Sequence, residues 1–319
     1  MRIVLKKVYN WLYELLFSSK FKSTANKNEN YCSELINEVK TLKSIDTKNL
    51  KGAELEWSMN VNEIIKSILT KNPQEFLSWD VIKYTMFVVR DKFVSPELKA
   101  IIKSDNYNSF WKAILKESNI GNPLRYWKYP KSSGNLIHHA YHLLRFNQTT
   151  NIKADELDFI FEFGGGYGSL CRVFHKAGFK NRYVIFDLPV FSAIQKYYLK
   201  NSEIKILEKK DYLTKESGVI CISDIAELEE LLNLISTNDN RLFLATWSLS
   251  ETPLGFRENF VNLFSKFNYF LFAYQIQFID VNNVQYFKNI QNKLENIEWQ
   301  SSEIEHLPGN KYLIGNKMK

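Results

Sequence analysis

The sequence predicts an α/β fold in which a mostly parallel sheet follows a helical N-terminal region. After residue 150, short apolar runs alternate with helical patterns, which is typical of strands joined by helices in a parallel sheet. Before residue 150, helical periodicity prevails and strand patterns are few. The chain has 319 residues, 45% of them hydrophobic, which is enough for a sizeable core. We therefore expect a mostly helical domain over 1–150 and a sheet domain over 151–319.

Apolar residues recur at helical spacing in several segments of the first region. The predicted helices span 31–44, 61–69, 73–90, 96–102 and 108–116. Residues 130–134 are predicted to form a loop, after which Asn135 is suited to cap one more helix. We expect this region to cover one side of a site in the sheet domain, to form a dimer contact, or both.

The sheet domain is organised around the stretch from Asp158 to Pro189. An apolar run over 158–163 predicts a buried strand, and four glycines between 164 and 168 form a turn with few side chains. Residues 169–176 have helical periodicity, and 183–186 form a second apolar run that ends on Asp187. A glycine turn allows backbone N–H groups and a helix N-terminus to approach a polar ligand closely. Asp187 follows Gly168 by about 20 residues, the spacing of a nucleoside-binding βαβ unit whose acid accepts from the ribose hydroxyls.

The pattern of helix and strand continues to the end of the chain. Residues 190–200 predict a helix, and either 204–207 or 219–222 predicts the third strand. Residues 241–246 form a clean apolar strand followed by the segment 247–253, and 269–278 predict another strand. Residues 303–308 and 311–315 predict a terminal hairpin through Pro308, Gly309 and Asn310.

Four short motifs together resemble class I methyltransferases that use S-adenosyl-L-methionine (SAM), and a bacterial family of sugar O-methyltransferases in particular. They are HHAY at 138–141, EFGGGYG at 162–168, FDLP at 186–189 and WSLSE at 247–251. The glycine spacing is E-x-G-x-G-x-G rather than the G-x-G-x-x-G of dinucleotide sites. The resemblance covers the chain from about Gly121 onward and implies a Rossmann-like sheet, mostly parallel with an antiparallel last strand.

The resemblance also implies which residues bind SAM. The glycine turn is expected to pack against the methionine part, Glu162 to help hold the amino group, and Asp187 to bind the ribose. An acid after the third strand is expected beside the adenine; Asp224 is favoured, with Asp211 as the alternative. The implied cofactor residues are Glu162, Gly164, Gly165, Gly166, Gly168, Asp187, Leu188, Asp224, Ile225, Trp247 and Ser248.

The acceptor is expected to lie against the helix that begins near Asn135. His138 and His142 are four residues apart and share a face, whereas His139 turns away from them. These histidines could equally be surface or core-edge residues. The candidate substrate-binding residues are Tyr141, His142, Arg145, Ser250, Gln275 and His306.

The expected reaction is methyl transfer to a sugar hydroxyl of a surface glycan or its precursor by in-line displacement. Because such a hydroxyl is a weak nucleophile, a base is expected to remove its proton. His139 or His138 is the first candidate base and Glu251 the second. The alternatives are a phenol or protein amine as acceptor, or a non-catalytic SAM- or nucleotide-binding module. Enzymes that methylate aromatic acceptors usually carry a histidine soon after the fourth strand, and none lies between His175 and His306.

Composition limits the partners. The net charge is +7, from 42 basic and 35 acidic residues that are spread along the chain without a nucleic-acid-binding motif. We therefore expect a small-molecule or glycan acceptor and no nucleic acid. The 3 cysteines include no C-x-x-C pair, which favours a reducing, cytoplasmic location. Because no spacing of metal ligands is evident, a Mg²⁺-dependent reaction is a minority alternative.

Residues 1–22 predict a basic amphipathic helix. Lys6, Lys7 and Glu14 interrupt its apolar run, so it is too short and too charged to cross a bilayer. The apolar face is compatible with packing on the chain's own domain, on the second copy in a homodimer, or peripherally on the inner membrane surface.

Overall fold

The computed structural model describes residues 29–214, 216–234 and 240–318, so the helix predicted over 1–22 lies outside the described residues. The fold is an α/β sheet preceded by helices, as predicted. The first helices are α1 (Glu29–Lys40), α2 (Gly52–Thr70), α3 (Asp80–Met86), α4 (Asp91–Ile102), α5 (Lys112–Ile114) and α6 (Gly134–Thr150). A 3₁₀ turn over Pro73–Ser78 precedes α3, and a π turn over Tyr107–Trp111 precedes α5.

A seven-stranded sheet forms the centre of the molecule in the order β10-β11-β7-β6-β3-β4-β5. Its strands are β3 (Phe159–Phe163), β4 (Arg182–Phe186), β5 (Gly218–Ile222), β6 (Arg241–Thr246), β7 (Tyr269–Gln275), β10 (Ile297–Glu303) and β11 (Asn310–Lys317). Neighbours from β5 to β7 pair in parallel, whereas β11 pairs antiparallel with both β7 and β10. The mostly parallel sheet with an antiparallel last strand is thereby confirmed.

The remaining elements connect these strands. The helices are α7 (Ser169–Lys176), α8 (Pro189–Asn201), α9 (Lys209–Leu213), α10 (Ile225–Leu232), α11 (Ser248–Glu251), α12 (Leu254–Arg257) and α13 (Val284–Lys293), with a 3₁₀ turn over Glu258–Lys266. Two short hairpins join β1 (Arg125–Tyr126) to β2 (Tyr129–Ser133) and β8 (Gln277–Phe278) to β9 (Val281–Asn282).

Both faces of the sheet are buried, which explains the uninterrupted apolar strands. Along β3, Phe159 and Phe161 pack into one hydrophobic cluster and Ile160 into the other, because successive side chains point to opposite faces. The chain runs from β3 outward to β4 and β5 and then returns to β6 on the other side of β3. The carboxyl end of β3 is therefore the point where the strand order reverses, and such crevices bind ligands in open α/β sheets.

The helices before residue 150 share a core with the sheet. One hydrophobic cluster includes Leu35 of α1 and Leu143 of α6 together with Ile160 and Ile185 of the sheet. Ion pairs also join α1 to α8, with Glu38 and Lys196 2.8 Å apart. The boundary proposed at residue 150 coincides with the end of α6, and packing is continuous across it.

Two local expectations are corrected by the structure, and one open alternative is resolved. Residues 129–133 form strand β2 rather than a loop, since β1 pairs with them. Ser133, not Asn135, caps α6, because its hydroxyl accepts from the Leu136 N–H at 3.0 Å. The third strand is β5, and the alternative run contributes only a bridge from Ile206 to Val219.

Candidate active site

A large cleft lies where the carboxyl ends of β3, β4 and β6 face α2, α3 and the start of α6. Its volume is about 2790 Å³, whereas most ligand pockets measure roughly 300–1,000 Å³. The cleft therefore has room for a nucleoside-sized ligand and a second substrate side by side. Its sheet-side walls include Glu162, Gly164, Gly165, Gly166, Asp187, Leu188, Ser223, Trp247, Ser248 and Glu251. Its helix-side walls include Trp57, Tyr84, Met86, Phe87, Asn135, His138 and His139.

The glycine turn after β3 has one packed face and one open face. Gly164 (φ +72°), Gly166 (φ +57°) and Gly168 (φ +88°) all adopt left-handed backbone conformations, which favour glycine. A Cβ at Gly164 would lie 2.2 Å from the Cβ of Ser248, so Gly164 allows the ends of β3 and β6 to meet. At Gly166 the nearest atom to such a Cβ would be Met86 Sδ, at 3.6 Å. The Gly166 side of the turn therefore faces the open cleft.

Asp187 is held in place by the glycine turn itself. Its Oδ2 accepts hydrogen bonds from the Gly166 N–H at 3.1 Å and from Gln195 Nε2 at 2.9 Å. Its Oδ1 accepts from the N–H of Leu188 at 2.8 Å. Burial raises the pKa of Asp187 to about 7, although these hydrogen bonds act in the opposite direction. The turn N–H groups thus orient a carboxylate, whose remaining lone pairs are available to hydroxyl donors.

Glu162 lies at the end of β3 beneath the turn. The hydroxyl of Tyr183 donates to its Oε2 at 2.7 Å. Burial, together with the nearby Asp187, raises the pKa of Glu162 to about 8. This carboxyl group is therefore mostly protonated at neutral pH, and a cation placed beside it would favour the charged form.

The end of β5 differs from the prediction. Ser223 borders the cleft, whereas Asp224 and Ile225 do not. Asp224 is exposed and caps α10, with its Oδ1 accepting from the Glu227 N–H at 2.9 Å. The N-cap interpretation of Asp224 is thereby confirmed, and its side chain is directed to its own helix rather than to the cleft.

Trp247 and Ser248 close the end of β6. Trp247 has φ +63°, a conformation that costs on the order of 1–3 kcal/mol in a residue other than glycine. Its indole Nε1 donates to Asn310 Oδ1 at 2.6 Å, and the Ser248 hydroxyl donates to the Phe163 carbonyl. Ser250 is buried, and its hydroxyl donates to the Trp247 carbonyl at 2.7 Å. Ser250 therefore supports this turn and does not border the cleft.

Glu251, the second candidate base, and Gln275, a candidate substrate residue, lie in contact, but only Glu251 borders the cleft. Gln275 Nε2 donates to Glu251 Oε1 at 2.8 Å. Burial, reinforced by the carboxylate of Glu56, raises the pKa of Glu251 to about 8. Glu251 must therefore lose a proton before it can act as a base at neutral pH.

A buried cluster of histidines faces the end of β6. The ring centroid of His138 lies 4.3 Å from that of His142 and 5.0 Å from that of Trp247. His138 Nδ1 lies 2.7 Å from Glu97 Oε1, and His306 Nε2 lies 2.8 Å from the same oxygen. Burial raises the pKa of Glu97, but the two imidazoles outweigh it and hold that pKa below its usual value.

The other candidate residues on α6 have different environments. His139 borders the cleft, and burial together with His138 lowers its pKa to about 3, so its imidazole is neutral. His142 Nδ1 lies 2.6 Å from the Tyr312 hydroxyl, behind His138. Tyr141 packs on His306, and Arg145 lies over the Tyr312 ring. His142, Tyr141, Arg145 and His306 thus surround Glu97 and Tyr312 and do not line the cleft.

Sequence analysis missed Glu97 and the role of Asn135. Glu97 is fully buried on α4 between Val94 and Ile101. An acid at an apolar position of an amphipathic helix is the sequence feature that could have identified it. Asn135 donates from Nδ2 to the Tyr167 hydroxyl at 2.9 Å. Its buried Oδ1 meets no partner among the described residues, and Asn135 borders the cleft.

The described ranges contain neither a cluster of metal ligands nor a helix that could span a membrane. Within 29–214, 216–234 and 240–318, no group of three or more His, Cys, Asp or Glu side chains is arranged to hold a metal ion. In the same ranges no helix combines the length and the apolar character needed to cross a bilayer.

Comparisons with known proteins give weak structural similarities alone. No protein-family model and no curated protein match the chain. It is similar to an rRNA methylase from Streptococcus thermophilus, with 9% identity over 55% of this chain and 95% of that one, at a TM-score of 0.39. It is similar to magnesium protoporphyrin IX methyltransferase from Synechocystis, solved with SAM. The identity is 10% over 73% of this chain and 100% of that one, at a TM-score of 0.37. It is also similar to fibrillarin from Aeropyrum pernix, solved with SAM. The identity is 13% over 55% of this chain and 72% of that one, at a TM-score of 0.38.

Proposed function

We propose that this chain is a SAM-dependent O-methyltransferase that acts on a sugar hydroxyl. The observation that carries the proposal is the position of the open Gly166 face. It lies beside the buried carboxyl group of Glu162 and the half-buried one of Asp187, where the strand order reverses. The same cleft continues to the histidines of α6.

The residues of the cleft fit the chemical groups of SAM. Asp187 is oriented by the turn and has lone pairs for the two ribose hydroxyls. Glu162 is a buried carboxyl group with a raised pKa. The positive charge of the ammonium group of the methionine part would lower that pKa and favour an ion pair. The open side of Gly166 gives the ligand a surface without side chains. Bound SAM would supply an electrophilic methyl group.

The helix side of the cleft is suited to an acceptor with both apolar and polar faces. Trp57, Tyr84 and Phe87 supply aromatic rings there, and Asn135 supplies an amide oxygen without a partner among the described residues. A sugar ring has the matching surfaces, because its C–H groups pack on aromatic faces and its hydroxyls donate to amide and imidazole acceptors. The resemblance of the four sequence motifs to sugar O-methyltransferases supports the same acceptor.

The residues of the cleft would align the acceptor oxygen and remove its proton. Alignment of reacting atoms at about 3 Å is the main requirement of such a transfer, and a positioned base adds roughly 10²–10⁴-fold. The candidate bases remain His138, His139 and Glu251, all on the cleft wall. Of these, Glu251 is the least suited at neutral pH, because its raised pKa keeps it protonated.

Calorimetric titration with SAM and, separately, with NAD tests the cofactor. We expect SAM alone to bind, and absence of binding at millimolar SAM would contradict the proposal. Incubation with labelled SAM and a panel of nucleotide sugars, glycans, phenols and peptide amines then tests the acceptor. Label transfer to a phenol or an amine but to no sugar would refute the sugar assignment and leave the methyltransferase assignment in place. Loss of turnover in EDTA, restored by Mg²⁺, would show a metal-dependent reaction.

A further inference from the structure

Glu97 is a buried carboxylate whose place in the structure calls for an explanation. Its side chain is fully buried on α4. Among the described residues, its ion-pair partners are the imidazoles of His138 and His306, and no lysine or arginine pairs with it. Burying a carboxylate is costly unless it is paired. The pair with His138 also joins α4 to the cleft, since His138 lines the cleft and Glu97 lies behind it.

The pair determines which nitrogen of His138 carries the proton. Glu97 keeps its negative charge, because the two imidazoles hold its pKa below the usual value, and an ionised carboxylate can only accept hydrogen bonds. His138 Nδ1, 2.7 Å from Glu97 Oε1, must therefore be the protonated nitrogen. In the neutral ring this leaves the lone pair on Nε2.

The Nε2 atom of His138 is buried and has no hydrogen-bond partner in the described part of the chain. The His138 ring is tilted 30° to the Trp247 ring at the end of β6, with 5.0 Å between centroids. Both residues border the cleft. The free lone pair of the neutral His138 ring is therefore fixed in direction at the Trp247 end of the cleft.

The two alternative bases lack this support. His139 also lines the cleft, but no carboxylate forms an ion pair with it among the described residues. Burial, and to a smaller extent the proximity of His138, lower the pKa of His139 to about 3. His139 is therefore a weak proton acceptor. Glu251 accepts from Gln275 and must first lose its own proton. The Glu97 carboxylate therefore singles out His138.

We propose that Glu97 is a positioning residue that fixes His138 with Nε2 as the proton acceptor, an inference that rests on the proposed methyltransferase function. His138 Nε2 takes the proton of the acceptor hydroxyl while the oxygen forms a bond to the methyl carbon. The carbon–sulfur bond breaks with its electron pair remaining on sulfur, so the sulfonium becomes a neutral thioether. The positive charge then lies on the His138 imidazolium, which Glu97 stabilises.

Other titratable groups also face His138 and contribute to its charge state. From α6 they are His139 and His142, and from α4 Glu97. One contact further away, His306 of the loop before β11 pairs with Glu97, and Tyr312 of β11 contacts His142. His306 donates to the same oxygen of Glu97 as His138. His306 therefore helps keep Glu97 ionised.

Glu97→Gln is the test of the catalytic consequence. We expect kcat to fall on the order of 10²-fold or more, since a base of this kind contributes about 10²–10⁴-fold. The Kd for SAM and the KM for the acceptor should stay within about threefold, because Glu97 does not line the cleft. The acid limb of the pH profile of kcat should move to lower pH, because the charge that stabilises the imidazolium is lost. Glu97→Asp, which retains the carboxylate, should recover part of kcat.

Glu117→Gln is a matched control. Its side chain is only 3% exposed, and its carboxylate pairs with Arg172 at 3.1 Å, but it does not line the cleft. We expect it to lower the thermal unfolding temperature while kcat below that temperature changes by less than about threefold. A kcat loss in Glu117→Gln as large as in Glu97→Gln would show general destabilisation and overturn the proposal.

A second measurement does not depend on activity. Two-bond ¹H–¹⁵N spectra of the imidazoles, with His138 assigned through His138→Gln, report the protonated nitrogen. We expect a proton on Nδ1 of His138 in the wild type and a changed pattern in Glu97→Gln. A proton on Nε2 in the wild type would overturn the proposal, as would an unchanged kcat in Glu97→Gln. A wild-type protein that methylates no acceptor would contradict the proposed function, and the spectra would still decide the Glu97–His138 pair.

Discussion

Three glycine-to-alanine substitutions should separate the packed face of the glycine turn from its open face. Gly164, Gly166 and Gly309 all have positive φ, so alanine is strained at each, by roughly 1–2 kcal/mol. At Gly309 nothing lies within 4 Å of an added Cβ, so Gly309→Ala measures this strain alone. At Gly164 the added Cβ would lie 2.2 Å from Ser248 Cβ. Overpacking of this kind costs about 1–3 kcal/mol more.

Urea unfolding and SAM calorimetry on the same samples provide the test. We expect Gly164→Ala to lower the free energy of unfolding by about 2–5 kcal/mol in total, clearly more than Gly309→Ala. Adding Ser248→Gly to Gly164→Ala should recover part of the loss, because the clashing Cβ is removed.

Gly166→Ala should behave differently. Its added Cβ would meet only the Met86 side chain, at ordinary contact distances of 3.6 Å to Sδ and 3.9 Å to Cγ, so its unfolding free energy should match that of Gly309→Ala. The methyl group would project into the cleft, and SAM affinity should fall by at least about tenfold, or about 1.4 kcal/mol. Equal stability of Gly164→Ala and Gly309→Ala would refute the close approach of β3 and β6. Unchanged SAM affinity in Gly166→Ala would refute the assignment of the open face to the cofactor.

Four further results are expected. Asp187→Asn should weaken SAM binding by about 10–100-fold in calorimetry, because a hydrogen bond to a charged group contributes about that factor to affinity. Asp224→Asn should change the affinity less than about threefold, because Asp224 does not border the cleft. Because folding raises the pKa of Glu162 from 4.5 to about 8, the folded state holds its proton longer than the unfolded one. The free energy of unfolding without SAM should therefore fall as pH rises from about 4.5 to 8. It should fall less in Glu162→Gln, which has no titrating group there. An equal pH dependence in the two proteins would refute the role of Glu162. SAM binding near pH 7 should release protons, measured in buffers of different ionisation enthalpy. Asn310→Ala should lower the urea unfolding free energy by about 1–3 kcal/mol, because it leaves the Trp247 N–H unpartnered; no loss would contradict that bond.

Local patterns predicted β3, β4 and β6 well because each has a strong signal of its own, whereas β10 is Ile297–Glu303 rather than the predicted 303–308. The strand predicted over 241–246 is observed as Arg241–Thr246, and the helix over 169–176 as Ser169–Lys176. Strands buried on both faces must be apolar throughout, and the glycine turn requires residues that tolerate positive φ. Hairpin β1–β2 was missed because its sequence, which includes Pro130 and two serines, has no strand pattern, and pairing alone makes it a strand.

The candidate site was predicted on its sheet side and only partly on its helix side. Asp187 and Glu162 border the cleft because strand ends and their turns place them there. Asp224 also follows a strand, but its side chain caps its own helix, an interaction that competes for the same carboxylate. His142 shares a face with His138 as expected, yet it lies behind His138 and contacts Tyr312.

The sequence alone determined the succession of strand, glycine turn, helix, strand and acid from Asp158 to Asp187, because these depend on residues that are near neighbours along the chain. Tertiary structure decided which side chains meet in the cleft. Glu97 lies 41 residues from His138 and 209 from His306, and both imidazoles contact one of its oxygens. Such a contact leaves no periodic trace in the sequence, since it arises only when α4, α6 and the loop before β11 pack together.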